Sequence, residues 1–532
     1  MSTYRRPGVY LEETVLPGPN ESGVASSVTL FAGSAARGPF RTAVRCDSWT
    51  DYVARFGGYE PAAGASVSYL PYAVYSYFQN GGRICYVSRA VNDTTGSAAE
   101  YPVAGEFDSG PNEGDAGNAF TVKAASPGEW GEELSIAISV DIEAGSYSQV
   151  YTLIVYRKDS IGNDVEIERF QNLSVRGDVP GTKRVDVAVN DEVYGSRYIE
   201  VTGIDTTVTP DATAGPVELQ GGADGTLPTD VDLRTAATEG AAEIEGPVVV
   251  NIVPHRRNDA QSTLVQSSIE PSAFGDRTDI FVINDAAPPR GSGETATAYA
   301  SQIQQGVPLV QTGQSSSYVA AYAPWIVVND PAVQGGTITI PPGGAVAGVY
   351  ARTDATEGIF RAPAGVIASI SNAVNVDARF SESDQATLNA QQQINVIRPV
   401  PGSGIAIMGG RTRKKFGVDK YVSARRTLIY IKESLKSGSS FAVFENNDER
   451  LWTRLRFTAD NILRPIWSAG GLRGTSAAEA YYVICDESVN TPQVIASGEV
   501  RMEVGVALEY PAEFVVIRVS QYDGGSTAEI QT

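Results

Sequence analysis

Three nearly continuous apolar runs constrain this chain most: "PVVVNIV" (247–253), "DIFVIND" (279–285) and "PWIVVNDP" (324–331). Runs this short and this uniformly apolar suit strands buried on both faces of a parallel sheet. Helical patterns are expected between them, at 258–270 and 294–305. The spacing is therefore βαβαβ, and the expected architecture is helices packed on both sides of a sheet. An earlier strand, Val28 to Phe31, precedes two helical segments, "DSWTDYVARFGG" and "YLPYAVYSYFQNGG", each closed by a glycine pair, and then a strand "RICYVSRA". That β-α-α-β start joins the same sheet.

Between the two parts of the sheet the pattern changes. From about 119 to 205, short strands recur at the spacing of an all-β unit, "RVDVAVN" among them, which reads as an inserted β domain. From about 394 the pattern is α+β. Here "ARRTLIYIKESLKSG" and "DERLWTRLRFTADNIL" read as amphipathic helices, and "AYYVICD", "VRMEVGVALEY" and "EFVVIRVSQ" as strands. With 532 residues the chain is too long for one hydrophobic core. The expected division is 1–23, an arm and linker; 24–90 and 231–390, two parts of an α/β core; 91–230, the inserted β-rich domain; 391–511, an α+β domain; and 512–532, a last strand and tail.

Both ends carry a strand with no local partner. "RRPGVYLEET" (5–14) alternates apolar and polar residues, is fenced by Pro7–Gly8, and runs into the linker "TVLPGPNESG". At the other end, Glu513 to Gln521 follows Pro511 and precedes a polar tail.

At 42% hydrophobic and 19% charged residues, the composition is that of an ordinary globular chain. No apolar run reaches the length of a membrane helix, and the N-terminus does not read as a secretory signal. Cys46, Cys85 and Cys485 stand in no metal spacing, and they read as reduced thiols. The net charge is −21, unevenly placed. Residues 398–473 hold 15 Lys/Arg against 6 Asp/Glu, a net +9, so the remainder carries −30. A basic segment in an acidic protein points to contact with something acidic.

Chemistry is poorly supported. The single histidine, His255, has no nucleophile motif near it, and reads as a loop residue. Asp285 and Asp330 end apolar strands, where α/β enzymes place ligands, but no phosphate-binding glycine loop accompanies them. Strand-end aspartates commonly cap turns. "RTRKK" (411–415) with Arg425 and Arg426 lacks a nucleic-acid-binding motif, and an acidic protein surface matches it equally well.

The chain resembles contractile tail sheath proteins, the outer sleeves of contractile phage tails and related injection machines. The resemblance rests on "PGVYLEE", "SSVTLFAGSAARGPF", "FGGY", "YFQNGGRICYVSRA", "SPGEWGEELSIAI", "LQGGADG", and "YAPWIVVNDP" through "PPGGAVAGVYARTDATEGIFRAPAG". It continues in "INVIRPVPGSGIAIMGGRT", "YVSARRTLIYIKESLKSGSSFAVFENNDERLW" and "YPAEFVVIRVSQ". It implies a structural subunit, not an enzyme, with no cofactor. The subunit would polymerise as a helical sleeve of six-fold rings around a tail tube protein, with baseplate and tail terminator proteins at the ends. It would contract from a metastable extended state and drive the tube through the target envelope. Neither direct nucleic-acid contact nor membrane insertion is implied. The place implied is a virion tail or injection particle, assembled in a bacterial cytoplasm.

The resemblance further implies terminal strands exchanged between subunits, here Gly8, Val9, Tyr10, Leu11 and Glu12 at one end, and Glu513, Phe514, Val515, Val516, Ile517, Arg518 and Val519 at the other. With the family's tube-lining domain placed on the basic segment, the tube-facing candidates are Arg411, Arg413, Lys414, Lys415, Arg425 and Arg426. The alternatives are an α/β hydrolase-like or nucleotide-binding enzyme, or a static shell protein.

Overall fold

The computed structural model describes residues 28–59, 68–92, 95–107, 115–142, 150–159, 162–177, 180–191, 194–254, 274, 277–287, 295–306 and 315–513. The expected strand at 8–12, His255, the expected helix at 258–270 and residues 514–519 lie outside them.

The chain begins with β1 (Val28–Gly33), β2 (Val44–Cys46), α1 (Trp49–Phe56), α2 (Leu70–Gln79) and β3 (Cys85–Arg89). It then leaves for β4 (Glu100–Phe107), β5 (Ala116–Ala124), β6 (Leu134–Ile142), β7 (Val150–Lys158), β8 (Asp164–Ser174), β9 (Lys183–Arg184), α3 (Val185–Val189), β10 (Ile199–Thr202), β11 (Val208–Pro210) and β12 (Val217–Glu218). It returns through α4 (Asp230–Ala242), β13 (Val248–Ile252), β14 (Ile280–Asp285), α5 (Ala296–Gly306) and β15 (Val319–Ala323). A small sheet follows from β16 (Ile326–Asn329), β17 (Thr337–Ile340) and β18 (Ala373–Val376), with α6 (Gly343–Thr356) between the last two. The rest is α7 (Glu382–Ala386), β19 (Ile394–Val400), β20 (Gly404–Ile407), α8 (Val422–Gly438), α9 (Glu449–Ser468), α10 (Ala477–Ala480), β21 (Tyr481–Ile484), α11 (Pro492–Ala496) and β22 (Glu503–Val506).

The largest sheet has the order β2-β3-β1-β13-β14-β15-β19-β20. Its inner strands run parallel from β3 to β19, with antiparallel β2 and β20 at the edges. Alternate residues of the inner strands feed different cores. Phe31, Val249, Phe281 and Ile283 face α1, α2 and α6. Leu30, Val250, Ile252 and Val282 face α4, while Ala321, Ala323, Ile394 and Val396 pack with α5. The apolar runs at 247–253 and 279–285 are thus two-faced strands, and the β-α-α-β start joins them.

The third run behaves differently. The strand in the large sheet is β15, and the chain breaks at Pro324, whose nitrogen has no hydrogen to donate to the ladder. Ile326–Asn329 pairs instead with β17 and β18, antiparallel to both.

Residues 100–218 supply two sheets, β10-β5-β4-β11 and β12-β6-β7-β8-β9, antiparallel except for the short parallel β8–β9 pair, which share a separate core around Phe120, Tyr151 and Leu153. "RVDVAVN" is largely helical, not a strand. Val185 and Val189 are four apart and both buried, so one helical face meets the core. Buried Arg89 holds this segment to the large sheet. It donates to the carbonyls of Ala35, Ala36 and Gly38 on one side, and to Ser126 Oγ and the Pro127 carbonyl on the other. Burial lowers its pKa to about 10, but the five acceptors satisfy the guanidinium.

Helix α6 packs unusually close to α2. A Cβ on Gly344 would meet the Ala73 carbonyl oxygen at 2.2 Å, and one on Gly348 the Tyr77 carbonyl oxygen at 2.5 Å. Only glycine permits that approach.

Candidate assembly joint in the C-terminal region

Helices α8 and α9 form the centre of this region. Leu451, Leu455, Ala459, Ile462, Leu463 and Ile466 recur at helical spacing along α9, and all are buried. Asp448 caps the helix, accepting from the backbone N–H groups of Arg450 and Leu451. Against this core lie β21 and β22, paired antiparallel from Tyr481↔Val506 to Ile484↔Glu503. Among the described residues they make a sheet of two strands, so each strand is also an edge there. Tyr481 is pinned by its hydroxyl, which donates to Asp460 Oδ1 at 2.6 Å.

The six basic candidates divide sharply. Arg413, Arg425 and Arg426 are 3%, 1% and 3% exposed, so they offer no surface charge. Arg426 forms a two-point pair with Asp354 of α6, and stacks over the Tyr350 ring. Burial opposes its charge, but the Asp354 carboxylate outweighs that and holds the pKa above its ordinary value. Arg425 lies over the Tyr318 ring at 4.4 Å and shares Asp419 with Lys414, whose Nζ is 2.7 Å from Oδ2. Burial works against ionised Asp419 as well, yet Lys414 and Arg425 together keep its pKa below the usual 3.8. Arg413 donates to the Gln392 carbonyl, and burial lowers it to about 10. These side chains tie elements of one chain together. Counting charge along a sequence finds sign but not burial.

Arg411 meets the chain's last strand candidate. Its Nε and Nη2 donate to Glu513 Oε1 and Oε2, at 2.7 and 2.5 Å. Its backbone is fixed by Asn395, which accepts from the Arg411 N–H and donates to the Arg411 carbonyl. Glu513 is therefore anchored to its own subunit. Of the six, Lys415 alone is exposed, beside exposed Phe416.

A basic surface exists elsewhere, where the sequence reading did not place it. Arg450, Arg454, Phe457, Asn461 and Arg464 form the outer stripe of α9. Their partners are few: Asp448 and Glu445 at 3.6 Å from Arg450 and Arg454, and Asp460 at 2.9 Å from Arg464. The helical repeat within "DERLWTRLRFTADNIL" carries the signal that could have found it.

The enzyme cues do not converge. Asp285 ends β14, whereas Asp330 follows β16 in a different sheet and accepts from Tyr72 Oη and the Ala332 N–H, as a turn cap does. Among the described residues no group of three or more His, Cys, Asp or Glu could hold a metal, and no helix is long and apolar enough to cross a membrane. The three cysteines are buried and free; Cys46 and Cys85 face each other across β2 and β3.

Residues 419–521, which span α8, α9 and the two-stranded sheet, match the phage tail sheath C-terminal domain. A stretch of 183 residues, 34% of the chain, is 29% identical to the tail sheath protein of Salmonella phage ViI. Residues 419–521 belong to the tail sheath family, through its C-terminal domain. This is a structural family and not an enzymatic one. The chain spans about a quarter of the length of the curated relatives it matches. Its fold is similar over its whole length to the sheath of an extracellular contractile injection system in the contracted state, with a TM-score of 0.56, 19% identity, and 98% and 99% of the two chains covered. It is likewise similar to a chain of the anti-feeding prophage baseplate, with a TM-score of 0.55, 20% identity, and 98% and 99% covered.

Proposed function

We propose that the chain is the repeating subunit of a contractile sheath, joined to its neighbours by exchanged terminal strands. It stacks as a helical sleeve around an inner tube, with baseplate and terminator proteins at its ends. It contracts from a metastable extended state and drives the tube through an envelope. The observation that carries this reading is the β21–β22 sheet. An isolated pair of strands is marginal in water, and among the described residues each of these strands has one strand neighbour only, which leaves an edge open to strand addition. The segments 8–12 and 514–519 have the apolar alternation or apolar run that strand addition requires.

Each added strand contributes about 0.5–1.5 kcal/mol per net backbone hydrogen bond, so a six-residue strand supplies several kcal/mol per joint. The linker "TVLPGPNESG" spans at most roughly 35 Å when extended, and bends while the added strand stays paired. Rigid bodies sliding between two packings then give an all-or-none change that needs no nucleotide.

The tube-facing surface is Lys415 with the outer stripe of α9: Arg450, Arg454 and Arg464. Exposed charge pairs are individually weak, which makes such a contact releasable. Deleting residues 1–16 tests the joint. The reading requires a folded chain with unchanged circular dichroism that sediments as a monomer; intact tubes from the deletion would refute it.

A further inference from the structure

Beneath the first turn of α6 lies a buried polar group that the assembly reading does not use. Asn251 on β13 is 1% exposed and Asp285 on β14 is 4% exposed. Asn251 Nδ2 donates to the Ile283 carbonyl at 3.1 Å and to Asp285 Oδ2 at 2.9 Å, which uses both amide hydrogens and fixes the amide's orientation. The Gly343 N–H at the start of α6 also donates to the Asp285 carboxyl. Gly343 fits because it has no side chain: a Cβ there would lie 2.3 Å from Asn251 Nδ2 and 2.6 Å from Asp285 Oδ2.

Two oxygens remain. Asp285 Oδ1 and Asn251 Oδ1 are both buried and accept no hydrogen bond. Leaving two buried acceptors unpaired is costly. One proton removes both defects, since it converts one acceptor into a donor for the other. We infer that Asp285 carries a proton on Oδ1 in the folded chain and donates it to Asn251 Oδ1, so that acid and amide form a two-point pair that seats α6.

The surroundings support a neutral acid. Asp285 pairs in the ladder with Tyr322 of β15, and Tyr322 shares a hydroxyl contact with Tyr350 of α6. Burial holds both phenols protonated. The charged pair on this side, Arg426 with Asp354, acts on the phenols and not on Asp285. Burial raises the Asp285 pKa from 3.8 to about 7, against the opposing hydrogen bonds from Asn251 and Gly343.

The sign of the linkage follows. The folded chain binds a proton that the unfolded chain releases near 3.8, so this contribution is full in acid and is lost as pH rises to about 7. The experiment has two parts. Infrared spectra of the full chain at about pH 5.5, where ordinary carboxyls are largely ionised, should contain a protonated-acid carbonyl band. That band is expected to be missing from Asp285→Asn and, in the unaltered chain, to titrate away as pH rises through about 7. Second, the folded-to-unfolded ratio of the unaltered chain, divided by that of Asp285→Asn, should fall about tenfold per pH unit between about 4 and about 7 and then level off. If the variant fails to fold, the titration of the band still decides. A spectrum without the band, or parallel stability curves, would mean an ionised Asp285 and would overturn the inference.

Discussion

Arg411 holds Glu513 through two parallel hydrogen bonds, with both side chains largely buried. The pair fixes Glu513, the last of the described residues, to its own subunit. Arg411→Ala should therefore release Glu513, and the double variant with Glu513→Ala should cost less than the sum of the single changes. A coupling of about 1–3 kcal/mol is expected from urea unfolding of the arm-deleted monomer.

The Asp354–Arg426 pair joins α6 to α8 at 2% and 3% side-chain exposure. Removing one partner strands a buried charge, so Asp354→Ala should destabilise by about 3–5 kcal/mol. Replacing both with apolar residues of similar volume (Asp354→Leu with Arg426→Met) should recover most of that loss. Thermal unfolding of the three variants checks the order.

Asp419 titrates with the opposite sign to Asp285. Lys414 and Arg425 overcome its burial and hold its pKa below 3.8, so its stabilisation is full above that value and is lost as pH falls through the folded pKa. Asp419→Asn should be less stable at neutral pH, and the gap should close in acid. Equal gaps at neutral and acid pH would remove Asp419 from the account.

Charge reversal at Arg450, Arg454 and Arg464 should leave the fold intact, because all three side chains are more than half exposed. At about 0.2–1 kcal/mol each, the three changes should weaken co-assembly on purified tubes by about threefold to a hundredfold in low salt, with a smaller effect in high salt. Reversing Lys415 alone should have a weaker effect.

Cys46 and Cys85 should resist a thiol reagent in the folded chain and react on unfolding. Burial raises the Cys46 thiol to about 12 and the Cys85 thiol well above its ordinary value, so little thiolate is present. Rapid reaction under native conditions would show that edge strand β2 opens readily.

The parallel strands β13 and β14 were legible as uniformly apolar runs, and helices α8 and α9 because their apolar positions recur at helical spacing over several turns. Strand β15 was missed: its "VAAYA" is less conspicuous than the apolar run that follows Pro324. The basic candidates were legible only as charge. Three are buried: Arg426 and Arg413 find partners in segments distant in sequence, Asp354 and the Gln392 carbonyl, while Arg425 pairs with nearby Asp419 under the Tyr318 ring, and no local pattern encodes that burial. The α9 arginines lay within reach of the same helical reading that found its buried face.

The most direct test is a helical reconstruction, by electron microscopy, of tubes formed by the chain expressed alone. The account predicts hollow helical tubes in which the β21–β22 sheet is extended by strands from neighbouring subunits, one from residues 8–12 and one from residues 514–519. Tubes whose small sheet keeps only its own two strands, or a chain that never polymerises, would contradict it.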